Sequence, residues 1–170
     1  KADKALEVSK ETIAVAPEDL VALATLGETY VALGDTKQAQ VAFDRMTRLA
    51  AFDTGWQFRI AQYQVRAGNP DGANYSLERV LAIQPDHVPA QVLLTEVELQ
   101  RGQFDKAERR ARSLAGSQTT QAIGYRLLGD LALAQGRSSD AVANYRAALN
   151  RRSDLNVALR LYRAHFAAGQ

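Results

Sequence analysis

The chain has 170 residues, of which 46% are apolar and 24% charged, and its formal net charge is +2. This is an ordinary globular composition, and no apolar run approaches the roughly 18 residues that a membrane span needs. The small net charge gives no argument for a nucleic-acid partner. Cysteine is absent, which excludes disulfides, a thiol nucleophile and a thiolate metal site.

The apolar pattern predicts helices along the whole chain and no strand. Residues 1–19 contain one helix that stops near Pro17. Helix pairs follow in residues 20–53, 54–87, 88–121 and 122–155, and a tenth helix occupies residues 156–170. In the first pair, Leu23, Leu26 and Tyr30 are three or four residues apart and therefore share one helix face.

Alanine and glycine both recur at intervals of 34 residues. The alanine series is Ala5, Ala39, Ala73, Ala107 and Ala141, and the glycine series is Gly34, Gly68, Gly102 and Gly136. An interval of this length indicates an array of repeats, in which each helix pair buries its apolar face against its neighbours. Glycine between the helices of a pair suits a left-handed residue that ends the first helix.

The repeats resemble those of the tetratricopeptide repeat (TPR) family, whose pattern is Trp-x2-Leu-Gly-x2-Tyr, then Ala-x3-Phe and Pro. The first repeat reads Leu26-Gly27-x2-Tyr30 and Ala39-x3-Phe43, and the fourth reads Leu128-Gly129-x2-Ala132 and Ala141-x3-Tyr145. The second and third repeats keep the alanine and the glycine but lose the Leu-Gly pair. The resemblance covers nearly the whole chain and implies an all-α fold of helix-turn-helix repeats stacked as a right-handed α-solenoid.

The same resemblance implies a binding groove lined by the first helix of each repeat. Carried over by position, its partner-binding residues are Glu28, Phe58, Arg59, Gln62, Arg66, Glu96, Arg126 and Asp130. This mixture suits an extended peptide or a helix laid in the groove, and Arg59 and Arg126 suit a carboxylate. The lysine and asparagine set with which one subfamily grips a C-terminal carboxylate is missing. Leu93 and Leu127 either line the groove or pack between helices.

Three aromatic residues, Phe52, Trp56 and Phe58, lie around the start of the second repeat. Packing at the junction of two repeats is favoured for them over anchoring a partner, because buried aromatics supply much of an array's core.

Catalysis has little support in the sequence. His87 and His165 lie far apart in an array whose repeats touch only their neighbours, so surface or interhelix roles are favoured for both. Glu96 and Glu98 are two residues apart and face different ways on a helix, which is poor geometry for paired acids or a metal site. We therefore expect no enzyme, no cofactor and no metal.

The two ends resemble incomplete repeats, as expected of a segment of a longer array. Residues 1–19 correspond to a second helix without its first, and residues 156–170 to a first helix without its second. The side chains expected to be uncovered are Leu6, Ile13, Leu159, Tyr162 and Phe166. Uncovered terminal faces favour self-association of the chain.

The sequence therefore predicts a non-catalytic scaffold that binds a protein or peptide. The repeat style, as in LLGDLALAQGR, is similar to bacterial envelope TPR lipoproteins found beside PEP-CTERM (exosortase) sorting and exopolysaccharide systems. That likeness favours an envelope or periplasmic location over the cytoplasm, with membrane anchoring of the parent protein. Two alternatives stay open: a regulatory segment of a larger enzyme such as a glycosyltransferase or kinase, and a self-assembly module.

Overall fold

In the computed structural model, which describes residues 2–169, the chain forms ten α-helices and, within those residues, no strand. The helices are α1 Ala2–Val15, α2 Leu20–Ala32, α3 Thr36–Leu49, α4 Thr54–Arg66, α5 Pro70–Ile83, α6 Val88–Gln100, α7 Phe104–Gly116, α8 Gln121–Ala134, α9 Ser138–Leu149 and α10 Leu155–Ala167. The prediction of ten helices is confirmed, and α8 and α10 each begin one residue before the predicted start of their repeat. Lys1 and Gln170, the predicted ends of the array, lie outside the described residues.

A short turn joins the two helices of each pair. At the first turn, Gly34 adopts φ +77°, and the N–H groups of Gly34 and Asp35 donate to the carbonyls of Val31 and Tyr30. These hydrogen bonds satisfy the last carbonyls of α2, and glycine adopts this left-handed conformation without strain. Asp35 then caps α3, because its carboxylate accepts the N–H of Gln38 at 3.1 Å. The glycines of the other three pairs also have positive φ, as their period predicts.

The chain divides into two compact units, residues 1–90 and residues 91–170, and the boundary falls inside α6. In the first unit the core lies between α2, α3 and α4, where Leu23, Phe43, Met46 and Ile60 are almost fully buried. The ring of Phe43 lies against Gly27, where an added Cβ would overlap it. The prediction of a single array over residues 1–170 stays a prediction.

In the second unit the same packing recurs between α8, α9 and α10. One buried cluster of its core consists of Ala132, Ala141, Val142, Tyr145, Ala148, Val157 and Ala164. Tyr145 covers Gly129 as Phe43 covers Gly27, and a Cβ on either glycine would overlap the ring. The glycine of the Leu-Gly pair therefore makes room for the aromatic residue of the second helix.

The terminal helices differ in how far the structure covers them. On α10, Leu159, Tyr162 and Phe166 are exposed, as predicted from the sequence. On α1, the predicted exposure of Leu6 and Ile13 is wrong, because both are half-buried and Ile13 packs against the core of the first unit. The large apolar residues that α1 exposes, among its described side chains, are Val8 and Val15.

Candidate binding surface

The first helices of the four complete repeats, α2, α4, α6 and α8, carry the residues that the sequence places in a groove. In the first unit, the Arg66 guanidinium on α4 donates to Glu28 on α2, with Nη2 and Oε1 2.6 Å apart. The two side chains are 54% and 50% exposed, and the Arg66 guanidinium also lies 4.8 Å from the centre of the Tyr63 ring. Because water competes for both partners, such a pair contributes only about 0–1 kcal/mol.

In the second unit, a more buried group of charges links neighbouring first helices. Arg126 on α8 donates to Glu96 on α6 at 3.0 Å and to Asp130 on its own helix at 2.9 Å. Arg160 on α10 donates to the other oxygen of Asp130 at 2.7 Å. The hydroxyl of Tyr145 on α9 donates to that same oxygen at 2.7 Å.

Asp130 is therefore the acceptor shared by α8, α9 and α10. Its side chain is 12% exposed, and its two oxygens accept from three different residues. Burial raises the pKa of Tyr145 well above its usual range, and the neighbouring Asp130 carboxylate, which accepts the hydrogen bond of the Tyr145 hydroxyl, raises this pKa further. Asp130 thus favours the protonated form of Tyr145. Through its ion pair with Arg160, it also holds α10 against α8.

These contacts change how five of the eight predicted groove residues are understood. The five charged residues that pair with one another or with Arg160 are Glu28, Arg66, Glu96, Arg126 and Asp130. Their role in binding a partner stays a prediction, but each is engaged within the protein. Leu127, by contrast, is fully buried and packs between helices, whereas Leu93 is half-buried.

The other three predicted residues lie on α4 of the first unit, and two of them are exposed. Arg59 and Gln62 are exposed, and the Arg59 guanidinium lies 5.2 Å from the centre of the Trp56 ring. Phe58 is half-buried, with its ring tilted against that of His87 at 5.1 Å. Since Arg59 makes no hydrogen bond within the described residues, its five N–H donors remain available to an acceptor.

The three aromatic residues around the start of the second repeat do not form one cluster. Trp56 packs against the core of the first unit, as expected. Phe52 is 86% exposed, and the Arg79 guanidinium lies 5.8 Å from the centre of its ring. Core packing was therefore the wrong expectation for Phe52.

A cavity of about 410 Å³ lies beside α10 in the second unit. It is lined by Arg126, Asp154, Asn156, Leu159, Arg160 and Arg163. Arg160 uses one guanidinium nitrogen for Asp130 and is 43% exposed, so its other donors remain available at the cavity.

Sequence reasoning did not find the ion pairs between helices, although a signal for them exists. Glu96 and Arg126 are 30 residues apart, and so are Asp130 and Arg160. Each repeat has 34 residues. A residue that lies 30 positions further along the chain is therefore on the first helix of the next repeat, at a position four residues earlier in that repeat. The ion pair of Glu98 with Arg110 was also missed. The Glu98 side chain is 1% exposed, and its Oε1 accepts from Nη2 of Arg110 at 3.1 Å.

Among the described residues, no group of three His, Cys, Asp or Glu side chains could hold a metal ion. None of the helices in that part of the chain combines the length and the hydropathy needed to cross a bilayer. His87 accepts the N–H of Ala90 through Nδ1 at 3.1 Å, which is a helix-capping contact.

Comparisons with known proteins agree with this architecture. Two family models described as tetratricopeptide repeat match the chain, one over residues 24–88 and the other over residues 64–131. A search of curated proteins found no match. Among solved structures, a tetratricopeptide repeat protein from Parabacteroides merdae ATCC 43184 is similar, with a TM-score of 0.73 and 18% identity. The match covers 99% of this chain and 66% of that one.

Two further structures are similar over almost their whole length. TTC0263, a thermophilic TPR protein of Thermus thermophilus, has a TM-score of 0.63 and 22% identity over 97% of this chain and 91% of its own. YrrB, a TPR protein with an unusual peptide-binding site, has a TM-score of 0.67 and 16% identity over 95% and 84%. At these identities the likeness shows the fold alone, and it confirms the predicted all-α solenoid of helix-turn-helix repeats.

Proposed function

We propose that each of the two units of this chain binds an acidic segment of a partner protein against its first helices. The chain belongs to the tetratricopeptide repeat family, whose fold serves as a protein-interaction scaffold. The charge of the first helices carries the proposal. Their three acidic groove residues, Glu28 in the first unit and Glu96 and Asp130 in the second, are each held by an arginine of the protein. Four arginines of the first helices, Arg59, Arg66, Arg126 and Arg160, outnumber these three acids. Arg59 and Arg160 also keep donors that nothing in the described chain uses, so the excess charge offered to a partner is positive.

Guanidinium groups bind carboxylates through two parallel hydrogen bonds. Arg59 stands beside the exposed Gln62, and Arg160 stands at the cavity next to Leu159. Each site therefore combines a charged donor with a polar or an apolar neighbour, as peptide-binding surfaces do. An aspartate, a glutamate or a C-terminal carboxylate in an extended segment supplies the matching acceptor.

The test uses short random peptides displayed on phage, selected on the whole chain and then labelled for fluorescence anisotropy. Enriched peptides are expected to be acidic. The double variant Arg59→Gln/Arg160→Gln is expected to weaken their binding about tenfold or more, because a hydrogen bond to a charged group contributes about 1.5–3 kcal/mol. The matched control, Lys106→Gln/Arg109→Gln, removes two exposed positive charges from α7 and is expected to leave binding within about twofold.

Selection of basic or uncharged peptides would contradict the acidic ligand. Equal weakening by the two double variants would show a nonspecific charge effect rather than a site. Circular dichroism of each variant establishes that folding is intact, since Arg160 also holds Asp130.

We further propose that this scaffold works in a bacterial envelope, in an exopolysaccharide or protein-sorting system. The support is the style of the repeats alone. Fractionation of the source cells, followed by identification of proteins crosslinked to the chain, tests it; a purely cytoplasmic distribution would contradict it.

A further inference from the structure

We propose that a cavity between α3 and α5 of the first unit binds a free α-amino acid, whose ammonium group meets Asp44 and whose carboxylate meets Arg48. Both helices are second helices of their repeats, and the cavity shares no residue with the first-helix surface proposed above. The proposal therefore does not depend on the acidic segment. It rests on two opposite charges that line one cavity without pairing with each other.

The cavity has a volume of about 430 Å³. Its polar lining comes from three helices: Asp44, Thr47 and Arg48 of α3, Gln64 of α4, and Tyr75 and Arg79 of α5. Ala51 and Gly72 complete the lining with small residues. One acid, two arginines, an amide and an aromatic ring therefore converge on the same space.

The charges of Asp44 and Arg48 are both available at this cavity. The two residues are one helical turn apart on α3, a spacing at which an acid and a base commonly pair. Neither makes a hydrogen bond or an ion pair within the part of the chain that the structure describes. Burial raises the pKa of Asp44, and the charge of Arg48 offsets this only in part, as expected of a carboxylate that loses water without gaining a hydrogen bond.

The equivalent cavity of the second unit differs in this respect. It has a volume of about 440 Å³ and is lined by α7, α8 and α9. Arg112, two repeats after Asp44, pairs there with Glu108 at 2.6 Å. Arg137 pairs with Asp140 at 2.7 Å. In that cavity each of these charges has a partner within the protein, whereas the charges of Asp44 and Arg48 can each take a partner from a ligand.

Gln64 supplies a further donor to the same cavity. It is 1% exposed, and its carbonyl oxygen accepts from the Ser76 hydroxyl at 3.0 Å. Its amide nitrogen has no acceptor among the described residues, although buried polar groups are normally hydrogen-bonded. A Cβ on Gly72 would lie 2.7 Å from this nitrogen, so glycine makes room for the amide. A carboxylate has two oxygens, one for Arg48 and one for this amide.

Tyr75 forms a fixed wall for the side chain of the amino acid. The Arg79 guanidinium donates through Nε to the carbonyl of Ala51 at 3.2 Å and through Nη1 to the Tyr75 hydroxyl at 2.9 Å. The Tyr75 ring is 51% exposed, so an apolar or aromatic side chain can pack on it. These contacts favour an amino acid such as phenylalanine.

The pair of charges also excludes ligands that carry only one of them. A ligand with a carboxylate alone places a like charge near Asp44, and a ligand with an ammonium group alone leaves Arg48 without an acceptor. An α-amino acid carries both groups on one carbon atom, so both charges fit within one turn of α3. The proposed ligand is therefore the zwitterion rather than an acidic peptide.

The first experiment titrates L-phenylalanine into the isotope-labelled chain and follows its amide chemical shifts. Shifts are expected in α3 and α5 around Asp44, Arg48 and Gly72, and at the side-chain amide of Gln64. N-acetyl-L-phenylalanine lacks the ammonium group, and L-phenylalaninamide lacks the carboxylate. Each analogue is expected to bind at least about tenfold more weakly, because it loses a hydrogen bond between charged groups.

The second experiment repeats the titration on variants. Asp44→Asn and Arg48→Gln are each expected to weaken phenylalanine binding about tenfold. The matched control, Glu108→Gln/Arg112→Gln, removes one acid and one base from the equivalent cavity of the second unit and is expected to keep the Kd within about twofold. Equal affinity for either blocked analogue would overturn the proposal, as would equal weakening by the control variant. Shifts confined to the first helices, or no shift at roughly 10 mM phenylalanine, would overturn it as well.

Discussion

Replacing Asp130 by alanine is expected to destabilise the second unit far more than replacing Glu28 destabilises the first. Both are acidic residues at the same position of a repeat, and both pair with arginine. Asp130, however, is 12% exposed and accepts from three side chains, whereas Glu28 is 50% exposed and accepts from one. The comparison therefore sets a buried acid that accepts from several donors against an exposed acid that accepts from one.

The magnitude follows from the donors left behind. Without Asp130, the buried Tyr145 hydroxyl loses its acceptor, which costs about 1–3 kcal/mol. Arg126 keeps only Glu96, and Arg160 returns to water. Breaking a buried ion pair from one side costs about 3–5 kcal/mol, so we expect a total near the middle of that range. For Glu28→Ala we expect about 0–1 kcal/mol, because the pair is solvated and screened.

Urea unfolding followed by circular dichroism gives the two free energies, and hydrogen exchange shows where each change acts. Asp130→Ala is expected to speed exchange in α8, α9 and α10, and Asp130→Asn is expected to lie between alanine and wild type because it keeps an acceptor for Tyr145. The reasoning is refuted if Asp130→Ala costs no more than Glu28→Ala. It is also refuted if exchange in α2 and α4 rises as much as in α8.

The remaining predictions concern alkaline pH, the glycine contacts and a desolvated acid. The pKa of Tyr145 is raised from 10.0, so the protonated side chain contributes fully to the free energy of unfolding below about pH 10, and this contribution is lost as pH rises above about 10. Unfolding titrations should therefore show a steeper loss of stability at alkaline pH for wild type than for Tyr145→Phe. Gly27→Ala should cost about 1–3 kcal/mol in urea unfolding, because its Cβ would overlap Phe43, whereas Gly116→Ala, with open space around it, should cost nothing. Desolvation, partly offset by Arg48, raises the pKa of Asp44 above 3.8; thermal melts should show Asp44→Asn stabilising at neutral pH and losing that advantage as pH falls through the raised pKa toward 3.8, below which the acid is protonated in both the folded and the unfolded state.

The repeat architecture could be predicted from the sequence because it depends on local, recurring requirements. A left-handed residue must end each first helix, and Gly34 and its three equivalents supply it at a fixed interval. A helix pair needs small residues where its axes approach, and the alanine series is fully buried in all four complete pairs. Both requirements recur in every repeat, so the same pattern in several repeats supports the same prediction for each of them.

The sequence could predict which positions of the repeats carry the candidate surface, but not how their side chains pair. The sequence placed Glu96, Arg126 and Asp130 on first helices, but it did not show that the arginines of one helix satisfy the acids of another. Whether a charged side chain is free or already paired depends on distances between helices that are far apart in sequence. Tertiary structure therefore decided that Asp130 holds α8, α9 and α10 together and that Arg59 and Arg160 keep donors available, since burial and pairing are properties of the packed helices.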